Sequence, residues 1–112
     1  MGTEMPKYKV VLTRQAKTDI VGIGDYIAYT LLEPGTAGKF VNELREKIAG
    51  LKGFPKRYQL VDDVVLSSQG IHCMPYKNYF VFFEVIDTVN TVIVLRVGYN
   101  RRNWQKILIK QN

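Results

Sequence analysis

Apolar residues recur at intervals of three and four positions along two stretches in the first half of the chain. The first stretch predicts a helix over residues 14–31, which begins after Thr13 as its N-cap. The second follows the break at Glu33-Pro34-Gly35 and ends before Pro55. The apolar positions that define the two helices are Ala16, Ile20, Ile23, Ile27 and Leu31, then Ala37, Phe40, Leu44, Ile48 and Leu51. Two helices joined by so short a turn predict an antiparallel helical hairpin.

Strand-like patterns with a period of two residues lie on both sides of this hairpin. Residues 7–12 are predicted to form a short N-terminal strand. After Pro55, β-branched and aromatic residues predict four strands, which are Val61–Leu66, Ile71–Tyr76, Tyr79–Ile86 and Val92–Tyr99. Their short connections are typical of an antiparallel meander. Residues 102–109 are a candidate for a short terminal helix.

Together these elements predict an α+β fold, in which an N-terminal strand and an antiparallel helical hairpin pack on a twisted antiparallel sheet. One domain is expected over residues 7–110, preceded by an N-terminal extension at residues 1–6. Alternation predicts which strand residues face the hairpin, namely Tyr79, Val81, Phe83, Val85, Ile93, Leu95, Val97 and Tyr99. The opposite faces would then carry Phe80, Phe82, Glu84 and Arg96.

The charge of the chain indicates an acidic partner. Sixteen Lys and Arg against ten Asp and Glu give a net charge of +6, which suits nucleic acid, the ribosome or an acidic protein. After Asp87 the sequence contains no acidic residue, so the C-terminal quarter is the expected contact surface, although a solvated basic tail would look the same. The sequence has no apolar run long enough to span a bilayer and no signal-peptide pattern, and its single cysteine, Cys73, excludes an internal disulfide. We therefore expect a cytoplasmic protein.

Four stretches of the sequence resemble the RelE/ParE toxin superfamily in the order that this family has them. They are YKVVLTRQAKTDI from Tyr8, LKGFPKRYQLV from Leu51, NYFVFFEV from Asn78 and VIVLRVGYNRRNW from Val92. The last is the most specific, because a valine-rich strand ends in a small residue, an aromatic position and paired arginines. The resemblance implies the toxin of a type II toxin-antitoxin pair, with a small acidic antitoxin as its partner. One branch of the superfamily cuts messenger RNA in the ribosomal A site, and another binds DNA gyrase and blocks it without chemistry.

Cleavage of RNA without a metal requires an activated 2′-hydroxyl, a cation at the phosphate and an acid for the leaving oxygen. No convincing set of metal ligands is present in the sequence, and no cofactor is expected. Arg101 and Arg102 follow the last strand where the resembling toxins carry basic residues, and a guanidinium suits phosphate through its paired donors. Tyr99, just before them, could stack on a base, donate a proton or face the core.

Two further residues have an alternative structural explanation. Arg96 is a possible phosphate contact, although an ion pair with Glu84 on the next strand would explain it equally well. His72 lies where many relatives carry Arg, and it is either an acid or base in catalysis or simply a half-exposed strand residue.

The remaining candidates extend the positive surface. Lys56, Arg57 and Lys77 could contact nucleic acid, and Trp104 and Tyr58 could stack on bases or cover the core. Phe80 and His72 stand where nuclease-type relatives place arginine, which weakens the case for catalysis. The leading hypothesis is a ribosome-dependent mRNA endonuclease that uses Arg96, Arg101 and Arg102 on phosphate and Tyr99 or His72 for proton transfer. The alternatives are a non-enzymatic inhibitor of DNA gyrase and a degenerate member that only binds its antitoxin.

Overall fold

A computed structural model describes residues 7–99 and Leu108 of the chain. Across these residues, four strands form one sheet in the order β1-β4-β3-β2, with helices α1 to α3 between β1 and β2. The bounds are β1 Lys9–Leu12, α1 Arg14–Asp25, α2 Pro34–Ala49, α3 Val64–Ser68, β2 Ile71–Tyr76, β3 Tyr79–Ile86 and β4 Thr91–Tyr99. The predicted α+β class and helical hairpin are confirmed. The helix predicted at residues 102–109 lies outside the described residues except at Leu108.

The hairpin begins and ends where the sequence predicts. The Thr13 hydroxyl accepts the Ala16 amide at 3.1 Å and caps α1, which continues as a π-helical turn over Tyr26–Thr30. Helix α2 starts at Pro34, whose missing N–H is no loss in a first turn. None of the helices in the described part of the chain is long and apolar enough to cross a membrane.

Three strands form the predicted antiparallel meander, and β1 adds to it in parallel with β4, which makes the sheet mixed. Strands β2 and β3 have the predicted bounds. The pairing of β3 with β4 contains a β-bulge, since Phe82 pairs with Arg96 but Phe83 pairs with Val94. The extra residue of the bulge is Leu95.

The bulge makes part of the predicted facing of β4 wrong. Val92 and Val94 pack in the hairpin-side core, whereas Leu95 packs against the cluster on the other face of the sheet. Val97 packs in the hairpin-side core as predicted. Arg96 pairs with Phe82, which belongs to the cluster on the other face, and its side chain reaches the Asp19 carboxylate on α1. A bulge shifts the alternation of side chains by one residue, which strict alternation along the sequence does not anticipate.

The strand predicted at Val61–Leu66 is also wrong, because this stretch contains α3. The Asp63 carboxylate accepts the Leu66 amide at 3.0 Å and caps the short helix, so a local hydrogen bond outweighs the β propensity of Val64 and Val65. Only the edge before it is strand-like, where the Val61 amide bonds the Ile71 carbonyl and Leu60 bridges to His72.

The sheet separates two apolar clusters. The larger lies between the sheet and the hairpin and includes Ile20, Leu44 and Phe83, each no more than 1% exposed. The smaller lies on the other face and contains Leu66, Ile71, Phe82 and Leu108. Leu108 thus packs on the face of the sheet that the hairpin leaves open.

Candidate functional site

A groove of about 840 Å³ opens between α1, the π-helical turn and the end of β4. Three tyrosines from different elements line it, which are Tyr26, Tyr79 and Tyr99. The rings of Tyr79 and Tyr99 meet edge to face with centroids 5.3 Å apart, and Tyr26 and Tyr99 are about half exposed. Burial raises the pKa of Tyr79, and the nearby hydroxyls of Tyr99 and Tyr26 raise it further. Tyr99 thus faces an open groove, whereas the sequence predicts that it faces the closed core.

An ion pair forms one wall of this groove. The Arg96 guanidinium donates from Nε and Nη2 to the Asp19 carboxylate at 2.8 and 3.0 Å, and the Val97 amide donates to the same carboxylate at 2.9 Å. Both side chains are less than one-third exposed. The hydrogen bond to Asp19 raises the pKa of Arg96. Arg96 therefore has a partner on α1, and the ion pair considered with Glu84 is not the one it forms.

His72 is held in a fixed orientation on β2. Its Nδ1 lies 2.7 Å from the Tyr58 carbonyl oxygen, and because a carbonyl can only accept, Nδ1 carries the proton and donates it. The ring stacks on Phe83 at 5.3 Å and 12°. These contacts leave Nε2 as the nitrogen available for other chemistry.

The two candidates for proton transfer, Tyr99 and His72, lie apart in the sheet. Tyr99 pairs with Tyr79 on β3, and His72 pairs from the other side with Phe83, which is four residues further along β3. With a rise of about 3.4 Å per residue and two strand spacings of about 4.8 Å, their Cα atoms are roughly 17 Å apart. At that separation the two side chains do not contact each other, so they do not form one acid–base pair.

The cation candidates Lys56 and Arg57 are engaged near the end of β3. Lys56 Nζ lies 2.6 Å from an Asp87 carboxylate oxygen, and the other oxygen of Asp87 accepts the Tyr8 hydroxyl at 2.9 Å. The hydrogen bonds from Lys56 and Tyr8 lower the pKa of Asp87. Arg57 donates to the Gly53 carbonyl at 2.8 Å and lies over the ring of Tyr58, 4.9 Å from its centroid.

Lys77 lies at the opposite end of β3, in the turn that joins it to β2. It adopts a left-handed backbone conformation with φ of 54°, and its Nζ is 3.8 Å from Glu43 and 5.5 Å from the ring centroids of Phe40 and Tyr76. Since β3 spans eight residues, Lys77 and Lys56 are separated by about 24 Å of strand. The candidates Lys56 and Lys77 therefore do not belong to one patch.

Arg101, Arg102 and Trp104 lie outside the described residues, and their roles stay predictions. Phe80 packs against the smaller apolar cluster. Residues 7–99 and Leu108 contain no group of three or more side chains that could hold a metal ion.

Sequence reasoning missed Asp19, Tyr26 and Tyr79 as site residues. Asp19 bonds to a residue 77 positions away, which no local pattern reveals. Tyr26 is an aromatic residue outside the apolar positions of the first predicted helix, which is the sequence feature that could have identified it. The alternation of strand residues predicts Tyr79 only as a residue that faces the core.

The chain is similar to known toxins over most of its length. Residues 10–104 match the family described as the ParE toxin of the type II toxin-antitoxin system parDE. No curated protein sequence matches the chain.

Solved structures share the fold at low sequence identity. A chain of the chromosomal ParDE toxin-antitoxin system from P. aeruginosa has a TM-score of 0.70 and 20% identity, over 85% of this chain and 98% of that one. A chain of the RelBE2 toxin-antitoxin complex from Mycobacterium tuberculosis gives 0.64 and 19%, over 88% and 98%. One from the intact E. coli RelBE complex gives 0.58 and 16%, over 85% and 99%. With the family match covering most of the sequence, the chain belongs to the ParE toxin family of type II toxin-antitoxin systems.

Proposed function

We propose that this toxin arrests bacterial growth by binding DNA gyrase and blocking it, without chemistry of its own. The observation that carries the proposal is the dispersal of the candidate catalytic groups. The Cα atoms of Tyr99 and His72 are about 17 Å apart, from the strand geometry above, and the candidate cations Lys56, Lys77 and Arg96 lie at the two ends of β3 and beside α1. A nuclease needs a cation and a proton-transfer group on one phosphate, within hydrogen-bond reach.

The internal partners of the cations support the same proposal. Arg96 would have to give up two charge-assisted bonds to Asp19 before it could bind phosphate with the same donors. Lys56 and Lys77 form exposed ion pairs, which are weak enough for phosphate to replace them, but they lie too far apart to act together. Arg101 and Arg102 are the candidates whose partners are not described, and they could equally contact a protein target.

Cleavage of mRNA on the ribosome remains a second candidate because of one observation, the fixed imidazole of His72. A ring whose Nδ1 donates to a backbone carbonyl presents Nε2 in a defined tautomer, which is an arrangement suited to a general base. Its partners would then come from Arg101 and Arg102 or from the ribosome itself.

We also propose that a cognate antitoxin neutralises this toxin in the bacterial cytoplasm. The solved structures that share its fold include toxin-antitoxin complexes. A net charge of +6 favours an acidic antitoxin segment, because opposite charges accelerate the encounter of two proteins.

Two assays on the purified toxin distinguish the candidates. We expect it to inhibit DNA supercoiling by gyrase and to leave messages intact in a translating extract. Cleaved messages together with normal supercoiling would refute the proposal and favour the second candidate. Normal growth of cells that produce abundant soluble protein without the antitoxin would instead indicate a degenerate member.

A pair of charge-matched variants tests the C-terminal arginines. R101A/R102A and K39A/R45A each lower the net charge from +6 to +4, since both remove two cations. Lys39 and Arg45 lie exposed on α2, and neither lines the groove that contains Tyr99. We expect R101A/R102A to lose toxicity and K39A/R45A to keep it. Equal toxicity of both variants would remove Arg101 and Arg102 from the contact surface.

A further inference from the structure

The groove beside β4 differs in charge from the rest of this basic chain. Among the described residues that line it, the charged ones are Asp19, Arg96 and Glu33. Asp19 and Arg96 neutralise each other through two hydrogen bonds. Glu33 accepts a hydrogen bond from the Thr36 hydroxyl at 3.0 Å, which leaves its negative charge in place. Among the described residues, the lining thus carries one negative charge that is not in an ion pair, on a protein whose net charge is +6.

The aromatic lining suits a cation as well. Tyr26, Tyr79 and Tyr99 come from the π-helical turn, β3 and β4 and converge on the same groove. The faces of aromatic rings attract Lys and Arg side chains, and the attraction is stronger where water is partly excluded. A planar guanidinium can also stack on one ring while it donates to a carboxylate.

Apolar residues extend the surface beyond the groove. The π-helical turn and the loop after it expose Tyr29, Leu31 and Leu32, each between 49% and 79% of the residue's surface. Single exposed apolar residues are ordinary, but three within four positions beside a groove are typical of a protein-binding surface. Partial π-helices are also frequent at functional sites.

We propose that this groove binds an arginine or lysine side chain of a partner polypeptide, with flanking apolar residues of that partner packing on the exposed loop. The cationic group lies among Tyr26, Tyr79 and Tyr99 and donates to Glu33. The partner segment is therefore basic at this point, in contrast to the acidic segment expected on the positive surfaces of the toxin. This inference does not rest on gyrase as the target.

The simplest probe is N-acetyl-arginine amide added to the isolated protein, with the ring signals of the tyrosines followed by NMR. We expect saturable millimolar binding that shifts Tyr26, Tyr79 and Tyr99. The citrulline analogue keeps the shape of arginine without its charge and should bind roughly fivefold to thirtyfold more weakly. Equal binding of the two amides, or no saturable shift with the arginine amide, would overturn the proposal.

Variants separate the groove from the exposed surface around it. Y26A and E33Q should each weaken binding of the arginine amide at least threefold. Y29A is the matched control, because Tyr29 lies on the same π-helical turn and does not line the groove. Loss of binding in Y29A equal to that in Y26A would contradict the assignment. Binding that appears only in R101A/R102A would also overturn it, because the cations of the chain itself would then occupy the groove.

Discussion

Removing the Asp19 carboxylate should destabilise this fold more than any other single charge deletion among the described ion pairs. The Asp19→Ala change deletes two charge-assisted bonds from Arg96 and one from the Val97 amide. It leaves a guanidinium and a backbone N–H without their partners between α1 and β4. The Lys56–Asp87 and Lys77–Glu43 ion pairs join side chains that are 43% or more exposed, where such pairs contribute little.

The magnitude follows from burial. Breaking a fully buried ion pair costs about 3–5 kcal/mol, and a single bond to a charged group contributes about 1.5–3 kcal/mol. The side chains of Asp19 and Arg96 are 15% and 29% exposed, so water can rehydrate part of the guanidinium after the change. We therefore expect a loss of about 2–3 kcal/mol in the free energy of unfolding for Asp19→Ala. With a urea m-value of roughly 1.5–2 kcal/mol/M, the unfolding midpoint falls by about 1–2 M.

Urea unfolding followed by circular dichroism measures this loss, and Asp25→Ala provides the control. Asp25 is exposed at the end of the same helix, so its replacement should change stability by about 0.5 kcal/mol or less. A double-mutant cycle with Arg96→Met should give a coupling of about 1–2 kcal/mol, less than the full loss because the Val97 amide bond is independent of Arg96. A coupling near zero, or equal stability of the Asp19 and Asp25 variants, would refute this reasoning.

Two carboxylates should give stability opposite dependences on pH. Hydrogen bonds from Lys56 and Tyr8 lower the pKa of Asp87. The contribution of Asp87 to folding stability is therefore complete above the unfolded-state pKa of about 3.9 and is lost as pH falls through the folded-state value. Asp87→Asn should lower the thermal unfolding midpoint at pH 7 and leave a smaller difference from the parent protein at pH 2. Burial raises the pKa of Glu84, so ionisation of Glu84 destabilises the fold as pH rises above about 4.3. Glu84→Gln should raise the thermal unfolding midpoint at pH 7 and leave it unchanged near pH 3. A lower midpoint at pH 7 would contradict this.

Local patterns were sufficient to predict the helical hairpin and the meander. In each helix of the hairpin, the spacing of apolar residues in the sequence predicts which face is buried. Strands β2 and β3 begin and end where the flanking residues predict turns. Errors arose where a local hydrogen bond or a distant partner decides the structure. Asp63 makes a helix of a stretch rich in valine, and the parallel pairing of β1 with β4 depends on chain segments about 80 residues apart.

The candidate site was less predictable than the fold for the same reason. The sequence identified cations by residue type, but their partners are supplied by other elements, such as Asp19 for Arg96 and Glu43 for Lys77. The pairing register of β2, β3 and β4 determines the distance between Tyr99 and His72, and no sequence motif encodes that register. Distances of this kind follow only from the complete sheet.

The bulge in β4 connects the fold to both proposals. Helix α1 holds it from two positions, because the Thr13 hydroxyl donates to the Leu95 carbonyl at 2.8 Å and the Asp19 carboxylate accepts the Val97 amide at 2.9 Å. Without the bulge, strict alternation would place Val97 and Tyr99 on the opposite face from Val92 and Val94, and the groove would lose one of its three tyrosines. Arg96 contributes its charge to this arrangement instead of offering it to a ligand. The same contacts therefore build the tyrosine groove and remove one cation from a possible phosphate site, which is the physical reason to favour binding of a protein over cleavage of RNA.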